Sequence, residues 1–120
     1  MKLTLEAERP DGPSGATPTV LEAIVRQLCL SATYNRTRMI LAPHILYTRN
    51  AALYVDAFVV SREGMLPREP KMGVFKLDGL NDLQLLQRPF EASDMFQPEA
   101  AKYAGVTLMA IEPPANDSQL

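Results

Sequence analysis

The 120-residue sequence contains one cysteine, one histidine and no tryptophan. The lone Cys29 cannot form an internal disulfide, so the composition does not indicate an oxidising compartment. One histidine and one cysteine also cannot supply the four ligands of a structural zinc site. They leave few groups for nucleophilic catalysis. The sequence therefore predicts no metal, no cofactor and no enzymatic activity.

Long apolar runs are also missing. Ala51–Val55 and Ala57–Val60 are separated by Asp56, and both are far shorter than the roughly 20 residues that span a bilayer. Residues Met1–Glu8 alternate in polarity and lack the continuous apolar segment of a signal peptide. The glycines at Asp11–Gly15 are not followed by the lysine of a phosphate-binding loop. We therefore expect a cytoplasmic protein without membrane contact.

Neither sign of charge dominates, because 12 Lys and Arg residues stand against 14 Asp and Glu residues, a net charge of −2. This balance argues against a general binder of nucleic acid or membrane surfaces. Residues 26–76, however, contain eight basic and three acidic residues, a balance of +5, and the two ends together carry −7. A basic body can attract an anionic ligand, although charges scattered over a solvated surface would give the same count.

The hydrophobic pattern predicts one helix followed by several short strands. Residues 1–18 suggest a strand and a proline- and glycine-rich linker, and Thr19-Val20-Leu21-Glu22 has the form of a capping box. Glu22 and Arg26 are spaced to form an ion pair on the polar face of the helix. Its apolar face is expected to hold Val20, Leu21, Ile24, Val25 and Leu28. Alternating polarity then predicts strands at Cys29–Tyr34, Arg38–Thr48, Ala52–Val60 and Met72–Leu80.

The C-terminal residues are less regular. Proline at the first helical position in Gln97-Pro98-Glu99 and a natural stop at Gly105 predict a short C-terminal helix. Val106–Ile111 is expected to form a last strand, and Pro113-Pro114 to end it before a frayed tail. Together these elements favour a mainly β fold with one N-terminal helix, in which a small, strongly bent sheet closes into a barrel.

The hairpin of residues 38–60 can be registered from its pattern. A three-residue connection, Arg49-Asn50-Ala51, places Thr48 opposite Ala52 and His44 opposite Asp56. A bulge at Pro43 would shift this pairing by one residue, because proline cannot donate to a ladder. A carboxylate beside His44 favours the imidazolium and makes the histidine a candidate ligand contact. A purely structural hydrogen bond is the alternative.

Several motifs in this part of the chain resemble those of WYL domains. Leu53-Tyr54-Val55 stands where the Trp-Tyr-Leu signature of the family would stand, after the proline-containing strand Ala42–Leu46. Downstream, Val74–Leu80 resembles the family's Arg-Xaa-Phe-Arg-Leu-Asp-Arg-Ile strand, and Phe90-Glu91 resembles its exit from the sheet. The resemblance divides the chain into residues 1–18, a WYL-like domain at residues 19–96, and the C-terminal residues 97–120.

The resemblance implies a fold similar to the Sm/SH3-like barrel and a ligand-sensing role in bacterial transcription regulation. Family members usually follow a winged-helix DNA-binding domain, and their proposed ligands are anionic, including nucleotides and single-stranded nucleic acid. Only 18 residues precede Thr19, so we expect no operator binding by this chain alone. Carried over by position, the family's ligand site would include Tyr34, Arg38, Tyr54 and Lys76, to which the hairpin register adds His44.

The chain departs from the family's motifs at three other positions. Leu53 replaces the tryptophan, and Gly73 and Gly79 stand where the family carries arginines, so half of the basic cluster is absent. The basic residues that could replace it lie in predicted turns and loops: Arg49, Arg62, Arg68 and Lys71. Two hypotheses stay open. One is a sensing module for a small anionic ligand. The other is a protein-interaction or assembly module whose strand edges pair between subunits as a homo-oligomer.

Overall fold

A computed structural model of the chain describes residues 12–112 and the side chains of residues 15–112. In chain order the elements are α1 (Gly12–Arg26), β1 (Leu28–Tyr34), β2 (Thr37–Arg49), β3 (Ala52–Arg62), β4 (Met72–Lys76), a 3₁₀ turn (Leu77–Gly79), β5 (Asn81–Pro89), a second 3₁₀ turn (Ala101–Tyr103) and β6 (Thr107–Ala110). The prediction of a mainly β fold with one N-terminal helix is confirmed. The strand predicted near the N-terminus and the predicted tail lie outside the described residues.

Helix α1 begins at Gly12, so the predicted start at Thr19 is wrong. Pro18 lies inside the helix, where it removes one intrahelical hydrogen bond. The packing of one face offsets this loss, since the residues of that face contact the core: Ala16, Val20, Ala23 and Ile24. The expected face was too wide, because Val25 is 64% exposed and Leu28 belongs to β1. The ion pair between Arg26 and Glu22 is confirmed at 2.6 Å.

The strands form one antiparallel sheet in the order β4-β3-β2-β1-β5, and β6 pairs with β2 beyond the end of β1. Within residues 12–112 no ladder joins β4 to β5, so the sheet is open and the predicted closed barrel is wrong. The sheet is nevertheless strongly curled, because only Leu77–Leu80 separates the two edge strands along the chain. The ring of Tyr34 in β1 also contacts that of Phe75 in β4, with centroids 5.0 Å apart. The hydroxyl of Tyr34 accepts a hydrogen bond from the backbone N–H of Lys76. A side-chain hydrogen bond thus links the two strands in place of a ladder of backbone hydrogen bonds.

The hairpin joining β2 and β3 closes with two residues, not three. Asn50 and Ala51 both have left-handed φ angles, 52° and 64°, which is the geometry of a type I′ turn. Arg49 therefore pairs with Ala52 and Thr48 with Leu53, so the predicted register is wrong by one residue near the turn.

The bulge predicted at Pro43 is confirmed. Pro43 pairs with Ala57 and Ile45 with Asp56, so His44 is the extra residue on β2. The predicted cross-strand pair of His44 with Asp56 is therefore wrong. The proline is tolerated because β1 pairs with β2 before this point and β6 pairs with β2 after it.

The predicted C-terminal helix does not form. The region contains only the 3₁₀ turn Ala101–Tyr103, because a helix of about two turns is marginal without tertiary support. Phe96 and Tyr103 are instead buried at 5% and 6% exposure. Residues 90–106, called here the C-terminal segment, thus pack against the sheet as an irregular chain before the expected last strand, β6. No helix among residues 12–112 has the length and apolarity needed to cross a membrane.

Candidate functional site

A groove of about 770 Å³ lies where the sheet curls, between the end of β1 and the edge strand β4. Its apolar side includes the rings of Tyr34 and Phe75, together with Met39 and Val59. The end of β3 and the loop between β3 and β4 form its rim, which contains Arg62, Arg68, Lys71 and one acid, Glu69. We call this cavity the basic groove, since the charges that line it sum to +2.

Two glycines leave room for the two aromatic rings. The rings of Tyr34 and Phe75 meet edge to face at an interplanar angle of 82°. A Cβ atom at Gly79 would lie 2.7 Å from Cε1 of Tyr34. A Cβ atom at Gly73 would lie 2.7 Å from Cε2 of Phe75. Glycine at these two positions therefore leaves the space that the two rings of the groove occupy.

The cations of the rim are available to a ligand. Arg62, Arg68 and Lys71 are all exposed. Among residues 15–112 no carboxylate or other side-chain acceptor contacts any of the three cationic groups. In the same loop, Met65 and Leu66 are 72% and 78% exposed, which adds an apolar wall. The site therefore combines positive charge, aromatic surface and adaptable apolar side chains.

Tyr54 and Lys76 are neighbours, but their side chains point away from the floor of the basic groove. The two residues pair directly across β3 and β4. Neither of them lines the groove. Consecutive residues of a strand point to opposite faces, so the exposed Lys76 and the buried Phe75 project from opposite faces of β4. The guanidinium of Arg49 lies over the Tyr54 ring, 5.9 Å from its centroid.

Arg38 is engaged by the protein itself. Its guanidinium donates to the Thr33 hydroxyl and to the carbonyl of Asp82, both at 3.0 Å, and also to the Ser31 hydroxyl. These bonds tie β1, β2 and β5 together at one end of the sheet. Tyr47, the cross-strand partner of Tyr54, lies nine positions further along β2 than Arg38, roughly 30 Å of strand length. The predicted site residues therefore do not converge on one surface.

His44 is buried at 1% exposure and does not reach the basic groove. Its Nδ1 lies 2.8 Å from the Ala42 carbonyl, and its Nε2 accepts the backbone N–H of Ser93 at 3.1 Å. These partners fit a neutral ring that donates from Nδ1. Burial lowers the pKa of His44, an effect that the bond to Ala42 partly opposes. The imidazole fixes the C-terminal segment to β2. It lies among three phenylalanine rings, those of Phe58, Phe90 and Phe96.

The buried carboxylate of Asp56, which the sequence pattern offered as a partner for His44, lies beneath the C-terminal segment. Oδ1 of Asp56 accepts the Tyr47 hydroxyl at 2.6 Å. Oδ2 accepts the Tyr103 hydroxyl at 2.6 Å and the Lys102 ammonium at 2.8 Å. Burial, and then the bond to this carboxylate, raises the pKa of both tyrosines. The sequence signal was a single acid inside the apolar strand Ala52–Val60. Across the described residues no three His, Cys, Asp or Glu side chains cluster as metal ligands.

Comparisons with known proteins give one structural likeness. No family model matches this sequence, and a search of curated proteins gives no match. Among solved structures, the chain is similar to proteasome accessory factor B/C (PafBC) of Arthrobacter aurescens, with a TM-score of 0.55 and 17% sequence identity. The match covers 68% of this chain and 13% of that chain. This likeness shows a shared fold.

Proposed function

We propose that this chain is a non-enzymatic ligand-sensing or regulatory binding module. Its basic groove would take a small anionic ligand such as a nucleotide or an oligonucleotide. The observation that carries the proposal is one concave site that joins two aromatic rings to three cations without partners among residues 15–112. The resemblance of the sequence motifs to WYL domains, and the fold shared with part of PafBC, support it.

The size and chemistry of the groove fit such a ligand. A cavity of about 770 Å³ lies within the range of small-molecule sites, roughly 300–1,000 Å³. Aromatic faces stack on the planar bases of nucleotides. Arginine and lysine side chains bind phosphate oxygens through charge-assisted hydrogen bonds. We therefore place a base near Tyr34 and Phe75 and a phosphate group at Arg62, Arg68 or Lys71.

The remaining predicted site residues take different roles in this proposal. Tyr54 of β3 and Lys76 of β4 lie outside the groove lining and would contact only an oligonucleotide long enough to pass around the edge strand. Arg38 and His44 act through other residues, because the first fixes the β1–β2 hairpin against β5 and the second fixes the C-terminal segment.

The proposal is tested by thermal shift and titration calorimetry with nucleoside triphosphates and short single-stranded DNA. The intact protein should be stabilised by at least one of these ligands, because a ligand that binds only the folded state raises its stability. Arg62→Ala and Lys71→Ala should each lower the affinity about tenfold by removing a charged contact. Arg88→Ala, an exposed arginine of β5 outside the groove, is the matched control and should bind as the unmodified protein does. A protein stabilised by none of these ligands, or groove variants that bind normally, would overturn the proposal.

A further inference from the structure

Strand β4 leaves one edge of the sheet unpaired, and this edge lies in the basic groove. β4 pairs with β3 on one side, and no strand within residues 12–112 pairs with its other side. All five consecutive residues of 71–75 line the groove. Successive side chains of a strand point to opposite faces, so a cavity that touches each of them must run along the strand edge.

The direction of the free backbone groups follows from the ladder. The N–H of Val59 donates to the carbonyl of Lys71, in register with the pairing of the two strands. In an antiparallel ladder, pairs that exchange hydrogen bonds alternate with pairs that do not. Met72 and Val74 therefore direct their backbone N–H and C=O groups outward, away from β3. Lys76 fits the same alternation, since its N–H points outward to the Tyr34 hydroxyl.

We propose that the free edge of β4 binds an extended, acidic peptide segment of a partner protein as an additional strand. The outward backbone groups of Met72 and Val74 would supply the main-chain hydrogen bonds of strand addition. Alternate side chains of the peptide would meet the apolar floor of the groove and its basic rim. The exposed Met65 and Leu66 lie where they can cover the added strand.

Charge decides which occupant fits this edge. Three cations and one carboxylate line the groove, which favours an acidic segment. A second copy of this chain, paired strand to strand through β4, would bring the basic rims of the two copies together. Like charges brought close together oppose association. The inference and the proposed function share one feature, since both use the cations of the basic groove.

The test compares two substitutions at one position. Val74→Pro removes an outward N–H without breaking a bond to β3, and proline is tolerated on edge strands. Val74→Ala keeps the N–H and is the matched control. The probe is a fluorescein-labelled decapeptide of alternating valine and glutamate, followed by fluorescence anisotropy. The unmodified protein should bind it, Val74→Pro should lower the affinity at least about tenfold, and Val74→Ala should change it by less than about threefold. A decapeptide of alternating valine and lysine should not bind.

Amide hydrogen exchange of the unmodified protein gives a second readout that does not depend on the fold of a variant. The glutamate peptide should slow exchange at the amides of Met72 and Val74, because it makes them hydrogen-bond donors in a ladder. Failure of the peptide to bind, equal binding by the two variants, or no protection of these amides would overturn the inference. A dimer that forms without the peptide and that Val74→Pro dissociates would also overturn the inference, because a second copy of the chain would then occupy the β4 edge.

Nucleotide binding separates this inference from the proposed function. If nucleotides bind and the peptide does not, the inference fails alone. If the peptide binds through the β4 edge and nucleotides do not bind, the proposed function fails and the inference stands.

Discussion

The Tyr34 hydroxyl accepts the backbone N–H of Lys76 at 3.1 Å, which joins the end of β1 to the end of β4 across the curled sheet. Two strands, β2 and β3, lie between β1 and β4 in the sheet order. The contact therefore holds the curl without a ladder of backbone bonds. It also leaves the space beside it open as the basic groove.

The position of the Tyr34 ring depends on Gly79. We expect Gly79→Ala to lower the free energy of unfolding by about 1–3 kcal/mol, because the new methyl group would lie 2.7 Å from the ring and must displace it. The measurement is urea unfolding followed by circular dichroism. Gly15→Ala is the control: nothing lies within 4 Å of a Cβ atom there, and alanine stabilises a helix interior by roughly 0.5–1 kcal/mol. Equal effects of the two substitutions would contradict the account.

The turn between β2 and β3 should be improved by glycine. Ala51 has a φ of 64°, which costs a residue with a side chain roughly 1 kcal/mol. Ala51→Gly should therefore raise the free energy of unfolding by about 0.5–1 kcal/mol, since Asn-Gly is the preferred pair in type I′ turns. Ala52→Gly, one residue further and inside β3, should lower it. Unfolding in urea distinguishes these signs, and a destabilised Ala51→Gly variant would argue against the turn geometry.

Burial of His44 predicts a dependence of stability on pH. The folded protein holds this histidine neutral with a lowered pKa, whereas the unfolded chain protonates it near pH 6.5. The contribution of the neutral His44 to the free energy of unfolding should be complete above about pH 6.5. It should decrease as the pH falls from there toward the lowered pKa of the folded state. The slope contributed by one such group cannot exceed about 1.4 kcal/mol per pH unit.

The contribution of His44 is isolated by comparison with His44→Gln, which cannot become charged. Urea unfolding of both proteins from about pH 5 to about pH 8 should show a difference in stability that shrinks as the pH falls. A constant difference across this range would show that the histidine titrates alike in the folded and unfolded states.

The Asp56 network should be the most sensitive polar feature of the fold. Asp56→Ala leaves the hydroxyls of Tyr47 and Tyr103 without their buried acceptor. We expect it to lower the free energy of unfolding by about 3 kcal/mol or more. Asp78→Ala removes an exposed acid and should change stability by less than about 0.5 kcal/mol. Similar unfolding midpoints for the two variants would show that the buried carboxylate contributes little.

Local patterns predicted β1, β2, β3 and β6 close to their observed bounds, because burial on one face imposes alternation. The predicted strand Met72–Leu80 was too long, since β4 ends at Lys76 and a 3₁₀ turn follows. They predicted the bulge at Pro43 because the ring removes a ladder donor, whatever surrounds it. They did not predict the register near the turn, since Asn50-Ala51 lacks the glycine that usually marks a type I′ turn. The bulge displaced His44 from the strand pairing, and with it the expected pair with Asp56.

The candidate site shows the same division. Tyr34 was predicted and lines the groove, whereas Phe75 was only part of a family motif. Arg62, Arg68 and Lys71 were noted as loop cations, but only the curl of the sheet brings them near the Tyr34 ring. Such proximity depends on long-range packing, and a strand pattern carries no information about it. In the sequence, Gly73 and Gly79 indicate only the loss of two arginines. In the structure, each glycine leaves space for the aromatic ring beside it.

The most direct test of the account labels the methionine methyl groups with ¹³C and follows them by NMR while a nucleotide is added. Met39, Met65 and Met72 line the basic groove. Met109 lies in β6 and Met95 lies within the C-terminal segment, and neither lines the groove. We expect shifts at the first three methyl resonances, with Met109 and Met95 unchanged. Shifts confined to Met109 and Met95, or no shift at saturating nucleotide, would contradict it.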